Sequence, residues 1–374
     1  MKILGIETSC DETAVAVLDI TNGKIKVLSN TISSQVKLHA KYGGVVPNLA
    51  AREHVKNIKH VFKLALKEAN LPRAALGKLA GIDLVAVTRG PGLGPALLVG
   101  ITFAKTIAWK YQKPLIGVNH LEGHVYSNWL PIAVSKKLKF KSKKFDKNSF
   151  PILNLIVSGG HTELALMTSH GKYKVIGETL DDAIGEAFDK VARLLGLGYP
   201  GGPIVSLRAT KLQVKSEKLK IEFPRPMEKS RDYNFSYSGL KTSVLYKIRD
   251  LENTGIKITN NIKDEICYEF QKAATEVLIT KTIKAAKEYK VKSIFLSGGV
   301  SANKLLRLNL NTAAIELGVN YSQPELEYTG DNAAMIALAG YMNYKKIKSP
   351  SSPRLRRATN FSWKLVEMDA NLGF

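Results

Sequence analysis

Two stretches of this sequence, about 150 residues apart, share a pattern of an apolar strand, a short polar turn and a second apolar strand. They are KILGIETSCDETAVAVLD at residues 2–19 and ILNLIVSGGHTELALM at residues 152–167. Strand-like runs joined by a short turn predict hairpins. The pattern occurs twice in a chain of 374 residues, which is longer than one compact core usually spans. The sequence therefore predicts two lobes of related topology.

The segments between and after these hairpins alternate between helical and strand-like periodicity, which is typical of α/β proteins. We predict a first lobe over residues 1–130, a basic connector over 131–150 and a second lobe over 151–330. A closing helix at 331–345 is predicted to return to the first lobe, and a basic tail follows at 346–374.

One helix of the second lobe is predicted in more detail. The sequence DDAIGEAFDKVARLLG places its apolar residues on one helical stripe. Aspartate is a common residue at a helix start, so Asp181 or Asp182 is the expected N-cap.

The charge of the chain is strongly positive, because 55 Lys and Arg residues against 32 Asp and Glu residues give a net charge of +23. Seven of the lysines fall between Lys136 and Lys147, and six basic residues fall between Lys345 and Arg357. Each run alone can be a solvated loop or tail. Together, on so basic a chain, they favour a polyanionic partner, with nucleic acid the first candidate.

Two further features indicate an intracellular protein. No apolar run approaches the roughly 20 residues of a membrane span, and the start of the chain has a strand-like pattern in place of a signal or transit peptide. The two cysteines, Cys10 and Cys267, are too few for a disulfide framework. We therefore expect a cytoplasmic protein with no membrane contact.

The segment GVNHLEGHVYSNW places His120 and His124 four residues apart, so on a helix both imidazoles lie on one face and can bind one ion. The alternative is a pair of surface histidines. In the zinc peptidases with an HExxH motif, a glutamate directly follows the first histidine. Here Glu122 lies two residues from each histidine and on the other side of the helix, which argues against a peptidase.

Three turns rich in Gly, Ser and Thr follow apolar strands, at GIETSCDET, VSGGHTE and LSGGVSAN. Small residues there let backbone N–H groups approach an anion, and hydroxyl groups add donors. The first turn contains Thr8 and Ser9, which can contact phosphate, and Asp11 and Glu12, either of which can accept a proton or simply form the turn.

The chain resembles the universal tRNA threonylcarbamoyladenosine transferase family, formerly called O-sialoglycoprotein endopeptidase. The matching blocks occur in family order from about residue 3 to residue 340. The block SGGHT resembles bacterial and mitochondrial members, whereas RGPGLGP is more similar to archaeal and eukaryotic ones. The blocks are GIETSCDETAVAV, GGVVPNLAAREHV, GPGLGPALLVG, NHLEGH, VSGGHTEL, GEAFDKVARLLGLGYPGGP, FSYSGLKT, LSGGVSAN and GDNAAMIA.

This resemblance implies an α/β fold of the actin, sugar-kinase and heat-shock-ATPase superfamily, with a nucleotide cleft between the lobes. It implies transfer of a threonylcarbamoyl group from threonylcarbamoyl-AMP to N6 of adenosine 37 in tRNAs that read codons beginning with A. A separate synthase would supply the donor. An inactive paralogue with a small ATPase, or a second copy of the chain, would be the protein partner.

The resemblance also implies roles for individual residues. Asp331 would complete an iron or zinc site with His120 and His124, although Asp331 can instead cap its own helix. Asp189 would accept from ribose hydroxyls, although it can instead be a solvated carboxylate. Apart from the resemblance, His161 is a weaker candidate than Asp11 or Glu12 for the proton acceptor, since a Gly-Gly-His turn can simply point it outward. The residues implied to line the adenylate or ATP are Ile156, Val157, Ser158, Gly159, Gly160, Asp189, Gly202, Ser206 and Asn303.

Two alternatives to the transferase stay open at this point. One is a small-molecule kinase of the same superfamily, which would need neither the histidine pair nor the basic excess. The other is an ATPase that acts as a non-catalytic scaffold in a tRNA-modifying complex.

Overall fold

A computed structural model describes residues 1–71, 79, 81–131, 149–212, 221–348 and 363–374 of the chain. The basic run Lys136–Lys147 lies outside these residues, as do three of the six basic residues of the second run. The chain forms two compact units, Met1–Lys147 with Pro324–Phe374, and Asn148–Gln323. Among the described residues, no helix is long and apolar enough to cross a membrane.

The first unit contains a five-stranded mixed sheet with the order β3-β2-β1-β4-β5. Strand β1 pairs antiparallel with β2 across the short turn at residues 8–11, and it pairs parallel with β4 on its other side. The predicted hairpin is thus confirmed. The strands are β1 (Lys2–Glu7), β2 (Glu12–Thr21), β3 (Lys24–Ser34), β4 (Leu84–Gly90) and β5 (Leu115–Asn119).

Helices of the first unit cover the apolar side chains of this sheet. Ile58 and Val61 of one helix and Ile101 and Ala104 of another pack in one buried cluster with the strands. Their spacing of three residues places each pair on one helical face. The helices are α1 (Val36–His39), α2 (Pro47–Glu68), α3 (Gly94–Tyr111) and α4 (His120–Tyr126).

The second unit repeats the strand arrangement, with the order β10-β9-β6-β7-β8. Strand β6 pairs antiparallel with β7 and parallel with β9, as β1 does with β2 and β4. The prediction of a second hairpin of the same topology is confirmed. The strands are β6 (Ile152–Val157), β7 (Thr162–Ser169), β8 (Lys172–Glu178), β9 (Ser293–Ser297) and β10 (Asn320–Ser322).

The long central helix of the second unit is largely buried, with Phe270, Ala274 and Leu278 fully inside the core. The helices of this unit are α5 (Ile184–Leu194), α6 (Gly201–Leu212), α7 (Ser238–Asn253), α8 (Asn260–Glu288) and α9 (Lys304–Leu317).

The predicted N-cap of α5 is wrong. Residue Ala183 precedes the helix, and the hydroxyl of Thr162 accepts the N–H of Ile184. Asp181 instead accepts the N–H groups of Tyr237 and Ser238 at the start of α7. Aspartate accepts helix N–H groups here as expected, but for a helix that is distant in the sequence.

The last helix, α10 (Ala333–Lys348), lies in the first unit and packs against β1. Two glycines allow this close approach. A Cβ atom on Gly5 would lie 2.2 Å from the carbonyl oxygen of Ala333, and one on Gly340 would lie 2.4 Å from Cβ of Ala86. The missing side chains therefore determine how near the start of α10 comes to the end of the first hairpin.

Candidate active site

Three candidate metal ligands converge in the first unit. His120 and His124 lie one turn apart on α4, with ring centroids 4.7 Å apart. Oδ1 of Asp331 lies 3.3 Å from Nε2 of His120 and 3.2 Å from Nε2 of His124. One ligand atom from each residue lies within 4.8 Å of the others. The carboxylate that lies just before α10 thus meets the histidines of α4.

Two alternative interpretations of these residues are wrong. The histidines are not on the surface, because His120 is 6% exposed and His124 is fully buried. Asp331 does not cap α10, because the side chain of Asn332 accepts the N–H of Met335 at 3.0 Å. With Asn332 as the cap, the carboxylate of Asp331 is free to face the imidazoles.

The protonation states of His124 and Asp331 are those that a bound cation requires of its ligands. Burial lowers the pKa of His124, which is therefore neutral, and both its ring nitrogens are buried without a hydrogen-bond partner. The contact of its Nε2 with Asp331 is short but lacks hydrogen-bond alignment. Burial alone would raise the pKa of Asp331, but the imidazole of His120 outweighs it and holds that pKa well below its usual value. An unpaired buried nitrogen beside a carboxylate is costly unless a cation joins them.

Glu7, which sequence reasoning overlooked, contacts the same cluster. Its carboxylate is fully buried at the end of β1. One oxygen, Oε2, accepts from Oγ1 of Thr88 at 2.6 Å and lies 3.0 Å from Nδ1 of His120. The other oxygen, Oε1, accepts from the N–H of Ser9 at 2.5 Å. A buried acid that ends an otherwise apolar strand was the signal in the sequence.

The carboxylates of Asp331 and Glu7 act together on His120. Burial alone would lower the pKa of His120, but these two carboxylates raise it well above its usual value. In the metal-free protein His120 therefore carries a proton on each ring nitrogen at neutral pH. A cation bound to Nε2 would take the place of one of these protons.

The turn between β1 and β2 holds the other first-unit candidates. The hydroxyl of Thr8 donates to the carbonyl of Ala96 at 2.9 Å and is buried. Asp11 is 7% exposed, and its Oδ2 is buried without a hydrogen-bond partner. Burial, with the charges of Asp331 and Asp11, raises the pKa of Glu12 to about 9. Glu12 therefore holds its proton at neutral pH in the metal-free protein.

A buried histidine of α2, His54, ties down the backbone of this turn. Its Nε2 lies 3.0 Å from the carbonyl oxygen of Cys10, and its Nδ1 lies 2.8 Å from Oγ1 of Thr13. Burial lowers the pKa of His54, so a neutral ring makes both contacts. His54 thereby holds the backbone carbonyl just before Asp11 and the side chain of Thr13 two residues after it.

In the second unit, two predicted turns lie side by side because their strands, β6 and β9, are parallel neighbours. A Cβ atom on Gly298 would lie 2.3 Å from the carbonyl oxygen of Val157, so the two backbones nearly touch. In the first of these turns the N–H of His161 donates to Oγ of Ser158 at 3.0 Å. Cβ atoms on Gly159 and Gly160 would meet nothing within 4 Å. The backbone of these glycines is therefore open to a ligand, whereas the side chains of Ile156 and Val157 are fully buried.

Asp189 is a half-buried residue of α5 that holds the start of α6. Its Oδ1 accepts the N–H of Gly201 at 2.6 Å. Burial raises the pKa of Asp189, while the N–H groups of Gly201 and Gly202 partly oppose this shift. The alternative of a solvated carboxylate is wrong. A Cβ atom on Gly202 would meet nothing within 4 Å, so its surface is open.

Asn303 and Ser206 belong to one hydrogen-bonded group. Nδ2 of Asn303 donates to Oγ of Ser206 at 3.0 Å and to Oε1 of Gln271 at 2.8 Å. Its Oδ1 caps α9 by accepting the N–H of Leu306. Gln271 was missed because a single amide inside the long helix α8 has no distinguishing pattern in the sequence.

Comparison with known proteins agrees with the motifs of the sequence. A family model described as tRNA N6-adenosine threonylcarbamoyltransferase matches residues 26–338. The proteins of that name from Thermosipho africanus and Thermosipho melanesiensis are 48% and 50% identical to this chain. The alignments cover 92% and 91% of this chain and 95% and 94% of the relatives.

The chain belongs to the tRNA N6-adenosine threonylcarbamoyltransferase family. The resemblance inferred from the motifs is confirmed. The family and its relatives are named as transferases. The transferase is therefore better supported than the peptidase, the kinase or the scaffold.

Solved structures with a similar fold extend beyond the threonylcarbamoyltransferase family. The crystal structure of HypF from T. kodakarensis matches with a TM-score of 0.56 and 16% identity, covering 92% of this chain and 47% of that one. A full-length HypF in a phosphate- and nucleotide-bound form matches with a TM-score of 0.52 and 14% identity, covering 94% of this chain and 47% of that one. At such low identity the likeness concerns the fold alone, and it agrees with the predicted α/β class.

Proposed function

We propose that this chain transfers a threonylcarbamoyl group from threonylcarbamoyl-AMP to N6 of adenosine 37 in tRNAs that read codons beginning with A. Membership of the family, which spans residues 26–338, is the observation that carries this proposal. In the transfer, N6 forms a bond to the carbonyl carbon of the donor. The bond from that carbon to the phosphate oxygen breaks, AMP leaves, and N6 loses a proton.

One divalent cation, iron or zinc, would be held by His120, His124 and Asp331. Two imidazoles and one carboxylate leave coordination positions for ligand oxygens, as in a working site and unlike a closed structural site. When bound, the cation would supply positive charge to oxygen atoms of the donor. The unpartnered nitrogens of His124 support this assignment.

Asp11 is the better candidate for the proton acceptor, with Glu12 as the other. Glu12 already carries a proton at neutral pH in the metal-free protein, since its pKa is about 9. Asp11 has an oxygen without a partner, and the neighbouring backbone is held by His54. A carboxylate held in place with a free oxygen can accept the proton released from N6.

The turns of the second unit would bind the adenylate. The open backbone of Gly159 and Gly160 supports contacts of their N–H groups with phosphate, whereas the N–H of Ser158 already donates to the carbonyl of His161, so Ser158 would contribute its hydroxyl. Gly202 offers an open surface for the sugar or base. Asp189 accepts an N–H group at the start of α6, and Asn303 does so at the start of α9. Ser206 joins through its hydrogen bond with Asn303. In the first turn, Thr8 would contact the donor through its backbone, because its hydroxyl already donates to Ala96. Ser9 would do so through its hydroxyl, because its N–H already donates to Glu7.

The tRNA would be attracted by the positive field of a chain with a net charge of +23. Family relatives are named for action on tRNA, so tRNA is the expected macromolecular substrate. We place the reaction in the cytoplasm, with a separate synthase as donor supply. A paralogue with a small ATPase, or a second copy, completes the proposed set of partners.

The test is a single-turnover reaction of the pure protein with preformed donor and unmodified tRNA, followed by mass analysis of the nucleosides. We expect threonylcarbamoyladenosine at one adenosine per tRNA, and no product from tRNAs that read other codons. Absence of product with metal-loaded protein, with and without the candidate protein partners, would refute the proposal. Phosphorylation of a small molecule in place of acyl transfer would favour the kinase.

A further inference from the structure

Glu7 is a buried carboxylate that the transfer reaction itself leaves without a role. It is fully buried, and every group within hydrogen-bond distance of it is a donor or can act as one. A charged carboxylate in such a place is costly unless its oxygens are fully used. Here three contacts use them: the N–H of Ser9, the hydroxyl of Thr88 and the Nδ1 of His120.

The contact with His120 decides which ring nitrogen of that residue is available to a metal ion. Nδ1 lies 3.0 Å from Oε2 of Glu7, and Nε2 lies 3.3 Å from Oδ1 of Asp331. An ionised carboxylate only accepts, so Nδ1 must carry the hydrogen in this contact. When a cation takes the place of the proton on Nε2, the lone pair that binds it is therefore the one on Nε2.

The second histidine lacks this support. Nδ1 of His124 is buried without a hydrogen-bond partner. Beyond packing, its ring makes a polar contact among the described residues only with Asp331, through Nε2, whereas the ring of His120 is also held through its Nδ1. The two predicted ligands are therefore oriented by different means.

We infer that Glu7 is a positioning residue that fixes the tautomer and orientation of His120 for metal binding. The inference rests on the proposed metal site of His120, His124 and Asp331. Carboxylates that accept from a metal-bound histidine commonly raise metal affinity by about 10-fold to 100-fold. Glu7 extends this arrangement into β1, since the same carboxylate also holds the N–H of Ser9 in the first turn.

The substitution Glu7→Gln is a sharp test because it keeps the shape and changes one acceptor to a donor. An NH2 group at the Oε1 position would face the N–H of Ser9. An NH2 group at the Oε2 position would face Nδ1 of His120 and require the hydrogen to move to Nε2. Either orientation removes one hydrogen bond, and the second blocks the nitrogen that faces Asp331.

The measurement is Zn²⁺ binding by the full-length, metal-stripped protein in competition with a chromophoric chelator. We expect Glu7→Gln to weaken Zn²⁺ binding by about 10-fold to 100-fold. Glu265→Gln is the matched control, since Glu265 is a buried carboxylate of the second unit that accepts the N–H of Ile221 at 3.2 Å. This control is expected to leave Zn²⁺ affinity unchanged.

A His120→Ala variant separates the inference from the metal site on which it rests. If His120→Ala keeps wild-type affinity, the proposed metal site is wrong. If His120→Ala loses binding while folded Glu7→Gln binds as tightly as the wild type, only the role of Glu7 is wrong.

A second measurement tests the role of Glu7 even if Glu7→Gln fails to fold, because it uses the wild-type protein. Nitrogen-15 spectra of the histidine-labelled wild type, loaded with Zn²⁺, should show a hydrogen on Nδ1 of His120 and none on Nε2, with the signal assigned by its loss in His120→Ala. A His120 ring with the hydrogen on Nε2, or with none on Nδ1, would overturn the inference.

Discussion

Adding one methyl group at Gly5, in the middle of β1, should weaken metal binding without touching a ligand. The new Cβ would lie 2.2 Å from the carbonyl oxygen of Ala333, whereas Cβ contacts shorter than 3.0 Å are essentially never observed. The start of α10 must therefore move by about 0.8 Å or more. Asp331 lies two residues before this carbonyl and would move with it.

The expected size of the effect follows from the tolerance of metal sites. Ligand distances in such sites vary by only about 0.2 Å, so a shift several times larger should separate Asp331 from the two imidazoles. Overpacking of this kind typically costs about 1–3 kcal/mol of unfolding free energy. Gly5→Ala should therefore lower both the Zn²⁺ affinity and the midpoint of urea unfolding.

The matched control for this experiment is Gly330→Ala, one residue before Asp331. A Cβ atom there would meet nothing within 4 Å, so metal affinity and stability should stay close to the wild type. Chelator competition and urea unfolding are measured on both variants. A folded Gly5→Ala protein with wild-type Zn²⁺ affinity would refute the argument that the approach of α10 to β1 places Asp331.

Three further predictions concern the substrates. In Gly159→Val the added side chain enters open space, so the protein should fold, but AMP affinity should be lost; calorimetric titration that shows unchanged affinity would remove this turn from the adenylate site. Asp11→Asn should lower the single-turnover rate by about 10²-fold to 10⁴-fold while donor binding is retained, and a wild-type rate would exclude Asp11 as the proton acceptor. Neutralising four lysines between Lys136 and Lys147 should weaken tRNA binding and leave AMP affinity unchanged. The slope of log tRNA affinity against log salt concentration should fall in magnitude by about 0.7 to 0.9 for each phosphate contact that is lost. An unchanged slope in filter-binding assays at several salt concentrations would show that the run is only a solvated connector.

The sequence by itself determined the local elements and the class of the fold. The two hairpins, the strands after them and the paired histidines of α4 all follow from periodicity over a few residues, which depends on local geometry. The motifs also identified the family, because their order and spacing persist along the chain. Local patterns were sufficient for these features since each depends on neighbours within about one element.

Sequence reasoning was less successful where a side chain meets a distant partner. An aspartate before a helix is a good cap by local rules, yet Asp181 holds α7 instead of α5. At α10 the alternative of Asp331 as the cap is likewise wrong, because Asn332 is the cap and Asp331 faces the histidines as the metal hypothesis requires. Which of two adjacent polar residues caps a helix depends on whether the other one contacts a partner elsewhere in the fold. Gln271 was overlooked for the same reason, because its partner Asn303 lies 32 residues away.

Tertiary structure decided the geometry of the candidate metal site. Asp331 is separated from His120 by more than 200 residues, and it meets that ring because Gly5 and Gly340 let α10 lie close to the sheet. Glu7 reaches the same ring because β1 ends beside α4. No local pattern encodes a contact between the end of one strand and the starts of two helices. The contact depends on backbone approach within the packed unit, and the absence of a side chain at two glycines is what permits it.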